Sequence, residues 1–407
     1  MKILFIVPYI PSLIYVRPFN LIRYLSQRGH RIHLLTFITS EADQQAITQL
    51  ESYCEVTIFP LPKWRSLLNA ALALPTSTPL QAVYCWQSEA ARWLEQRLAK
   101  GIDDIVHVEH LRGVRYGLLA QQTLVKSERR VPVLWDSVDS ISHLFNQAAN
   151  QATHLSSRLI TYLEKERTAY YEGEMVSKFQ QVLVTSPVDR QALLSQVPVN
   201  KNANISVLPN GSDLTYFSVD ANVPREPATL VVSGKMSYHA NIAMTLYLVR
   251  EILPIVWATN PDVKLWIVGK DPSKELLALQ KYQKILVTGR VDDIRPYLRQ
   301  ATLSVSPLLY GAGIQNKILE AMACGTPVIT TSLATQSLAV QNGYELCVAD
   351  NPKAFAQTIL ELLDNSKRRE QIGQAGRQYV ELNHDWSKIV QQLEAVYMQI
   401  AQQTTEK

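Results

Sequence analysis

A chain of 407 residues, 47% hydrophobic and 19% charged, is long enough for two or three ordinary domains with sizeable cores and too apolar to be disordered. Its formal net charge of +4, with no long basic block and no basic stripe interleaved with aromatics, argues against nucleic acid as a partner. It remains compatible with anionic small molecules or an anionic membrane surface. Cys54, Cys85, Cys324 and Cys347 lie far apart without a Cys-x-x-Cys, which suggests neither a zinc site nor a redox pair and fits a reducing compartment. The apolar run at the start ends at Pro8, too soon for a signal core, and no stretch approaches the ~20 apolar residues of a membrane span. A cytoplasmic location is expected.

Lys2 to Val7 reads as a buried strand, Pro18 to Arg28 as a helix closed by Gly29, and Arg31 to Phe37 as the next strand. This is how a doubly wound sheet opens, and ligands of such sheets sit beyond the carboxyl ends of the strands. No Gly-x-Gly-x-x-Gly follows the first strand, which disfavours a dehydrogenase-like dinucleotide site. Arg17, at the mouth of the first loop, is either a surface arginine or a contact for acceptor or phosphate. Between Pro62 and Pro75, the residues Trp64, Leu67, Leu68, Ala71 and Leu72 recur at helical spacing. That helix is expected to pack on the sheet; a seat in a membrane interface is the alternative. Asp104 to Val108 is a strand ending in His107-Val-Glu109-His110, and alternation along it sends Glu109 and His110 opposite ways. Val131 to Trp135 is another, running into Asp136-Ser-Val-Asp139, where capping of the next helix by Asp139 or Ser140 explains the carboxylates. Ser142 to Lys178 is mainly helical, with Leu155, Leu159, Tyr162, Leu163 and Tyr170 near one side. Gln181 to Thr185 and Ile205 to Leu208 are strands, and Pro209-Asn-Gly-Ser-Asp213 breaks the chain.

The pattern then restarts. Thr229 to Ser233 is a strand followed by Gly234-Lys235 and a helix from about Asn241, bent or stopped near Pro254. Val263 to Val268 with Gly269, and Ile285 to Gly289 with Arg290, are further strand–turn units, Asp292 and Asp293 capping the helix that follows. Ala301 to Ser306 is an apolar strand leading into Gly311-Ala312-Gly313-Ile314-Gln-Asn316-Lys317-Ile-Leu-Glu320-Ala-Met-Ala-Cys-Gly325-Thr-Pro327-Val-Ile. The glycines let the backbone turn tightly and leave amides bare for a ligand. The next helix presents its N-terminal N–H groups to whatever lies over that turn, and a diphosphate suits it. Lys317 and Glu320, three apart, share a helix face, where a cation can meet phosphate and a carboxylate can accept sugar hydroxyls. Three helical patterns follow, Lys353 to Asp364, Arg368 to Val380 and Trp386 to Gln402.

The run from Gly311 to Ile329 resembles the donor-site signature of retaining GT-B glycosyltransferases of the family 4 type, especially those of bacterial exopolysaccharide systems, which usually read Glu-Ala-Met-Ala-x-Gly-x-Pro-Val here. The resemblance implies an α/β, GT-B chain: two facing Rossmann-like doubly wound domains with an interdomain cleft. Residues 1–210 would bind the acceptor and 228–385 the nucleotide sugar; 211–227 would be the linker, and 386–407 a helix crossing back. Pro209 to Asp213 is similar to the family's hinge. By the same likeness, His110 faces the donor sugar, and Lys235 stands where many members carry an arginine on the diphosphate, with Asn241 at the place of a second cation. Gly289 and Arg290 belong to the loop that holds the base. Glu320 binds ribose hydroxyls or fixes the sugar, while Lys235, Lys317, Arg290, Gly234, Asn316 and the amides of Gly311, Ala312, Gly313 and Ile314 neutralise the leaving diphosphate. The donor substrate is a nucleotide-diphosphate sugar with no further cofactor and no metal. The acceptor, a glycan, a lipid-linked or a small molecule, would sit near Arg17 and His110, with peripheral contact to a membrane surface compatible. The sequence departs from the family in one respect: a second glutamate expected eight residues before Glu320 is Ala312, and the glycines are shifted. A nucleotide-sugar epimerase of the same fold and a non-catalytic homologue are the alternatives.

Overall fold

The computed structural model describes residues 1–12, 15–39, 44–149, 155–311 and 313–405. Ala312 lies outside them, as do the side chains of Leu155, Leu159, Tyr162 and Leu163, which the sequence places on one side of a helix. The chain divides into two units: Met1–Pro209 with Trp386–Lys407, and Asn210–Asp385.

The first unit is built on a parallel sheet of seven strands: β1 (Lys2–Ile6), β2 (Arg31–Ile38), β3 (Glu55–Pro60), β4 (Ile105–Glu109), β5 (Val133–Val138), β6 (Gln181–Val184) and β7 (Ile205–Val207), in the order β3-β2-β1-β4-β5-β6-β7. Both faces are covered, so β1 is an unbroken apolar run whose alternate side chains enter different cores. Leu4 and Ile6 join Val106, Val108 and Trp135 on one face. Ile3, Phe5 and Val7 join Ile105 and Leu134 on the other, beneath the helices Val16–Gln27 and Trp386–Thr405. The edge strand β3, half-exposed along its length, is an element that the sequence reading does not contain.

The second unit carries six parallel strands: β8 (Glu226–Ser233), β9 (Lys264–Val268), β10 (Ile285–Gly289), β11 (Ala301–Ser306), β12 (Val328–Thr330) and β13 (Cys347–Val348), in the order β10-β9-β8-β11-β12-β13. Near Pro254 the chain neither stops nor kinks into a loop. A π-turn, Leu248–Ile252, links the helices His239–Tyr247 and Leu253–Thr259, and this wider turn lies directly before Pro254, the residue with no N–H to give to the helical ladder. Contrary to the expectation of no such stretch, His239–Thr259 is long and apolar enough to cross a membrane by length and composition. It is a core helix: Met244, Leu248, Ile252, Leu253 and Val256 are buried among the residues of the second sheet.

One smaller expectation is overturned. The helix Lys63–Ala73 does not lay its apolar face on the sheet; its large side chains point to solvent.

Candidate functional site

In a doubly wound sheet a crevice opens where successive connections leave a pair of neighbouring strands in opposite directions. In the second unit that pair is β8 and β11. Gly234 and Lys235 follow β8; the glycine turn and the helix Asn316–Ala323 follow β11. Topology alone therefore brings Lys235 and Lys317 to one place.

The link between them is Asn241. It is buried at 5% exposure; its Nδ2 donates to the Lys235 carbonyl at 3.0 Å, and its Oδ1 accepts from Lys317 Nζ at 2.8 Å. Gln315 Oε1 takes a second Lys317 hydrogen at 3.2 Å. The position that the resemblance gives to a second cation thus holds the ammonium of Lys317, in the first turn of the helix Asn316–Ala323. Gly234, at φ +140°, leaves room for this: a Cβ there would lie 2.9 Å from Asn241 Nδ2 and 3.6 Å from Lys317 Cε. Behind it, Gly269 at φ +151° would drive a Cβ to 1.7 Å from the Gly234 carbonyl.

The helix Asn316–Ala323 starts with no side-chain cap on its first turn. It ends in a Schellman motif, Gly325 at φ +67° donating to Met322 and Thr326 to Ala321. Its open N-terminus is an anion site by geometry. Thr330 and Thr331 pin the strand end by donating to the Ser306 and Leu308 carbonyls at 2.8 and 2.9 Å. Two buried polar atoms beside this turn, Ser233 Oγ and Asn316 Oδ1, have no partner among the described residues. Lys317 and Glu320 are half-buried on the same face. Burial lowers the Lys317 ammonium to about 8, against the pull of Glu320. Burial also raises the Glu320 carboxyl to about 7, against the pull of Lys317. Each is the other's main counter-charge, and a bound diphosphate would compete for the cation.

The remaining expected residues are placed less centrally. Ile314 is 7% exposed and packs in the core, so only its backbone can meet a ligand. Lys235 is exposed. Gly289, at φ +68° with open space around it, and exposed Arg290 lie at the end of β10, two strands from β8. Asp293 stands one residue ahead of the N-cap, Ile294, and accepts the Arg295 N–H at 2.9 Å, whereas Asp292 is exposed, so neither carboxylate is the N-cap that the sequence suggests. A pair that the sequence reading omits joins the two central loops: the His239 and Tyr310 rings stack at 5.3 Å, with Nδ1 and the hydroxyl 2.9 Å apart.

In the first unit the corresponding strand pair is β1 and β4. The strand stops at Glu109, and His110 opens the helix His110–Lys126 at φ +64°, so simple alternation does not apply. His110 Nδ1 accepts the Arg112 N–H at 3.2 Å. Burial, with help from Arg112, lowers the ring to about 3, leaving a neutral imidazole whose proton is on Nε2. Next to it Tyr9 donates to Glu109 at 2.5 Å. Burial, reinforced by Asp136, pushes that carboxyl up to about 8.

Arg17 is not a surface residue. At 3% exposure it grips Asp136 through Nε and Nη2 at 2.9 and 2.8 Å and donates to the Leu208 and Pro209 carbonyls. It ties β5 to the exit of β7. Asp139 accepts from Thr185 instead of capping, while Ser140 Oγ accepts the His143 N–H at 3.4 Å. The buried Glu172 takes the Ile141 and Ser142 N–H groups at 2.8 and 3.2 Å.

Known proteins agree with this architecture. Residues 16–211 match the model of the "Glycosyl transferase 4-like domain", and residues 227–365 that of "Glycosyl transferases group 1". An uncharacterised 44.6 kDa protein in the cps region of Klebsiella pneumoniae is 23% identical over 378 residues, covering 90% of each chain. The phosphatidyl-myo-inositol mannosyltransferase of Mycobacterium leprae is 29% identical over 48% of this chain and 53% of its own. Among solved structures, a sucrose-phosphate synthase from Thermosynechococcus elongatus superposes with a TM-score of 0.70 at 18% identity, covering 98% of this chain and 99% of that one. Anabaena HepE in complex with UDP and glucose gives 0.69 at 13%, covering 98% and 100%. With each unit matched by one of these two models and the fold shared with these solved structures, this chain belongs to the group 1, family 4-like glycosyltransferases and has the GT-B fold.

Proposed function

We propose that the protein transfers a sugar from a nucleotide-diphosphate sugar to a glycan, lipid-linked or small-molecule acceptor, with retention of anomeric configuration and without a metal. The observation that carries this reading is the Lys317–Asn241–Lys235 chain at the β8/β11 crevice, with Glu320 on the same helix face. In this reading the diphosphate lies over the uncapped start of the helix Asn316–Ala323. There the amides of Gly311, Ala312, Gly313 and Ile314, with Lys317, Lys235 and Asn316, meet the charge that grows as the leaving group departs. Gly234 gives the phosphates close access to the backbone. Glu320 accepts from ribose or sugar hydroxyls. Gly289 and Arg290 hold the base, and His110 donates from Nε2 to a sugar hydroxyl. Arg17 serves the acceptor side through the strand ends it binds. Two lysines and oriented amides supply the positive charge that a divalent ion supplies elsewhere. Relatives in solved complexes hold UDP and UDP-glucose, which makes a uridine donor the first to try. A cytoplasmic enzyme working at the inner face of a membrane is part of the reading.

A panel of nucleotide sugars tests it by thermal shift. A true donor raises the melting temperature by mass action, worth about 2.7 kcal/mol at a hundredfold excess over Kd. With the donor found, Glu320→Gln is expected to keep the fold and lose about 100-fold or more in turnover, the scale of one transition-state hydrogen bond to charge. Activity of Glu320→Gln equal to the parent's would remove that residue from the site. Anomeric proton couplings of the product, measured with EDTA present, test retention and metal independence; sugar released as an epimer without acceptor would favour the epimerase.

A further inference from the structure

The helix Lys63–Ala73 is inside out. Trp64, Leu67, Leu68 and Leu72 are 61, 66, 50 and 67% exposed, and Leu74 just beyond them is 62% exposed. Their spacing puts the first four on one face. The opposite face meets the protein with small and polar groups: Ser66 and Ala73 are buried, and Asn69 donates to the Trp86 carbonyl at 2.9 Å. This orientation is anchored. Arg167 donates to the Ala73 and Leu74 carbonyls at 2.8 and 2.9 Å and also to that of Thr76, satisfying the helix's C-terminal acceptors. The segment itself carries one sign of charge: Lys63 and Arg65 sit in the first turn, and the sequence holds no Asp or Glu between Glu55 and Glu89, while Glu164 near the helix's other end is paired with Arg167 and the Leu80 N–H.

We propose that this helix docks the protein on an anionic lipid bilayer. The Trp64, Leu67, Leu68 and Leu72 face enters the boundary between headgroups and acyl chains, while Lys63 and Arg65 meet lipid phosphates. A bilayer fits better than a protein partner for two reasons. A single projecting helix offers a stripe of leucines rather than a pocket for a partner's side chains, and an indole at one end of the stripe is the group that settles at headgroup depth. Lys63 and Arg65, beside the apolar stripe on a segment without acidic residues of its own, complement a surface of phosphates. The inference does not depend on the transfer reaction.

The test uses the whole chain floated with vesicles of phosphatidylglycerol and phosphatidylethanolamine, against vesicles of phosphatidylcholine alone. Flotation with the anionic vesicles, falling as salt is added and slight with phosphatidylcholine, is expected. The double variant Leu67→Glu/Leu72→Glu should lower the apparent partition by about tenfold or more while melting temperature and donor binding stay as in the parent. Lys63→Glu should weaken binding to the anionic vesicles selectively. Absence of flotation with anionic vesicles, or a double variant that floats like the parent, overturns the proposal. So does a parent that ignores lipid but forms a dimer that the double variant dissociates, since the face is then a contact between copies. Because vesicle binding is read without turnover, such a failure leaves the donor-site reading standing.

Discussion

Burial works against the charged forms of Lys317 and Glu320 while each pulls the other toward its charge, and that has consequences in opposite directions for stability and function. The raised Glu320 carboxyl favours the fold below its unfolded pKa, and that contribution is lost as pH rises through about 7. The lowered Lys317 ammonium favours the fold above its unfolded pKa, and that contribution is lost as pH falls through about 8. At neutral pH the charged lysine is therefore a cost. Lys317→Met should stabilise the protein at pH 7 by on the order of 1 to 2 kcal/mol, the shift being discounted because the half-buried pair still meets solvent. The same variant should lose most of its affinity for a nucleoside diphosphate; chemical denaturation and titration calorimetry read the two effects separately. If the reaction needs the carboxylate and the ammonium together, kcat/KM should peak between about 7 and about 8 and fall on either side. The spacing of these two residues was legible in the sequence, because three positions on a helix always share a face. The fate of Arg17 was not: its partner Asp136 is 119 residues away, and no local pattern encodes that pairing. Asn241 looked like a weakened cation site, and only the hydrogen bonds show that it aims Lys317.

Among the elements, the turns after β8 and β9 are the most constrained. Gly269→Ala would put a methyl into the Gly234 carbonyl, which must move and take Lys235 and Asn241 with it. A left-handed backbone and a backbone clash together should cost about 2 to 4 kcal/mol. Donor affinity should fall at least about tenfold by titration calorimetry, even where the variant is fully folded. The strand–turn units were readable because buried parallel strands leave continuous apolar runs and glycines mark their ends. The edge strand β3 was missed because half-exposure breaks that run. The helix Lys63–Ala73 shows a sharper limit. Periodicity reveals an apolar face; it says nothing about which way the face is turned, and here small and polar contacts on the other side decide it.

At the scale of the molecule, each unit has its own buried core, and the last helix belongs to the first. Trp386, Ile389, Val390, Leu393, Tyr397 and Ile400 are buried with Ile3, Phe5, Leu21, Ile22 and Leu25, while Glu394 pairs with Arg28 and His30. Deleting residues 386–407 removes six core side chains, each worth about 1.5 to 3 kcal/mol, which is about the whole stability of an ordinary domain. Calorimetry of the truncated chain should then show the melting of the first unit lost or greatly lowered. A donor should still shift the transition of the second.

That arrangement also sets an order of events during synthesis. The ribosome delivers the strands of the first sheet early and the helix that seals one of its faces only after all of Asn210–Asp385 has been made. At ~5–20 residues per second the interval is on the order of ten seconds or longer. Throughout it, the nascent chain displays the greasy underside that Trp386 and Tyr397 will later cover, so a newborn molecule needs a chaperone's shelter or sparse neighbours until that helix arrives.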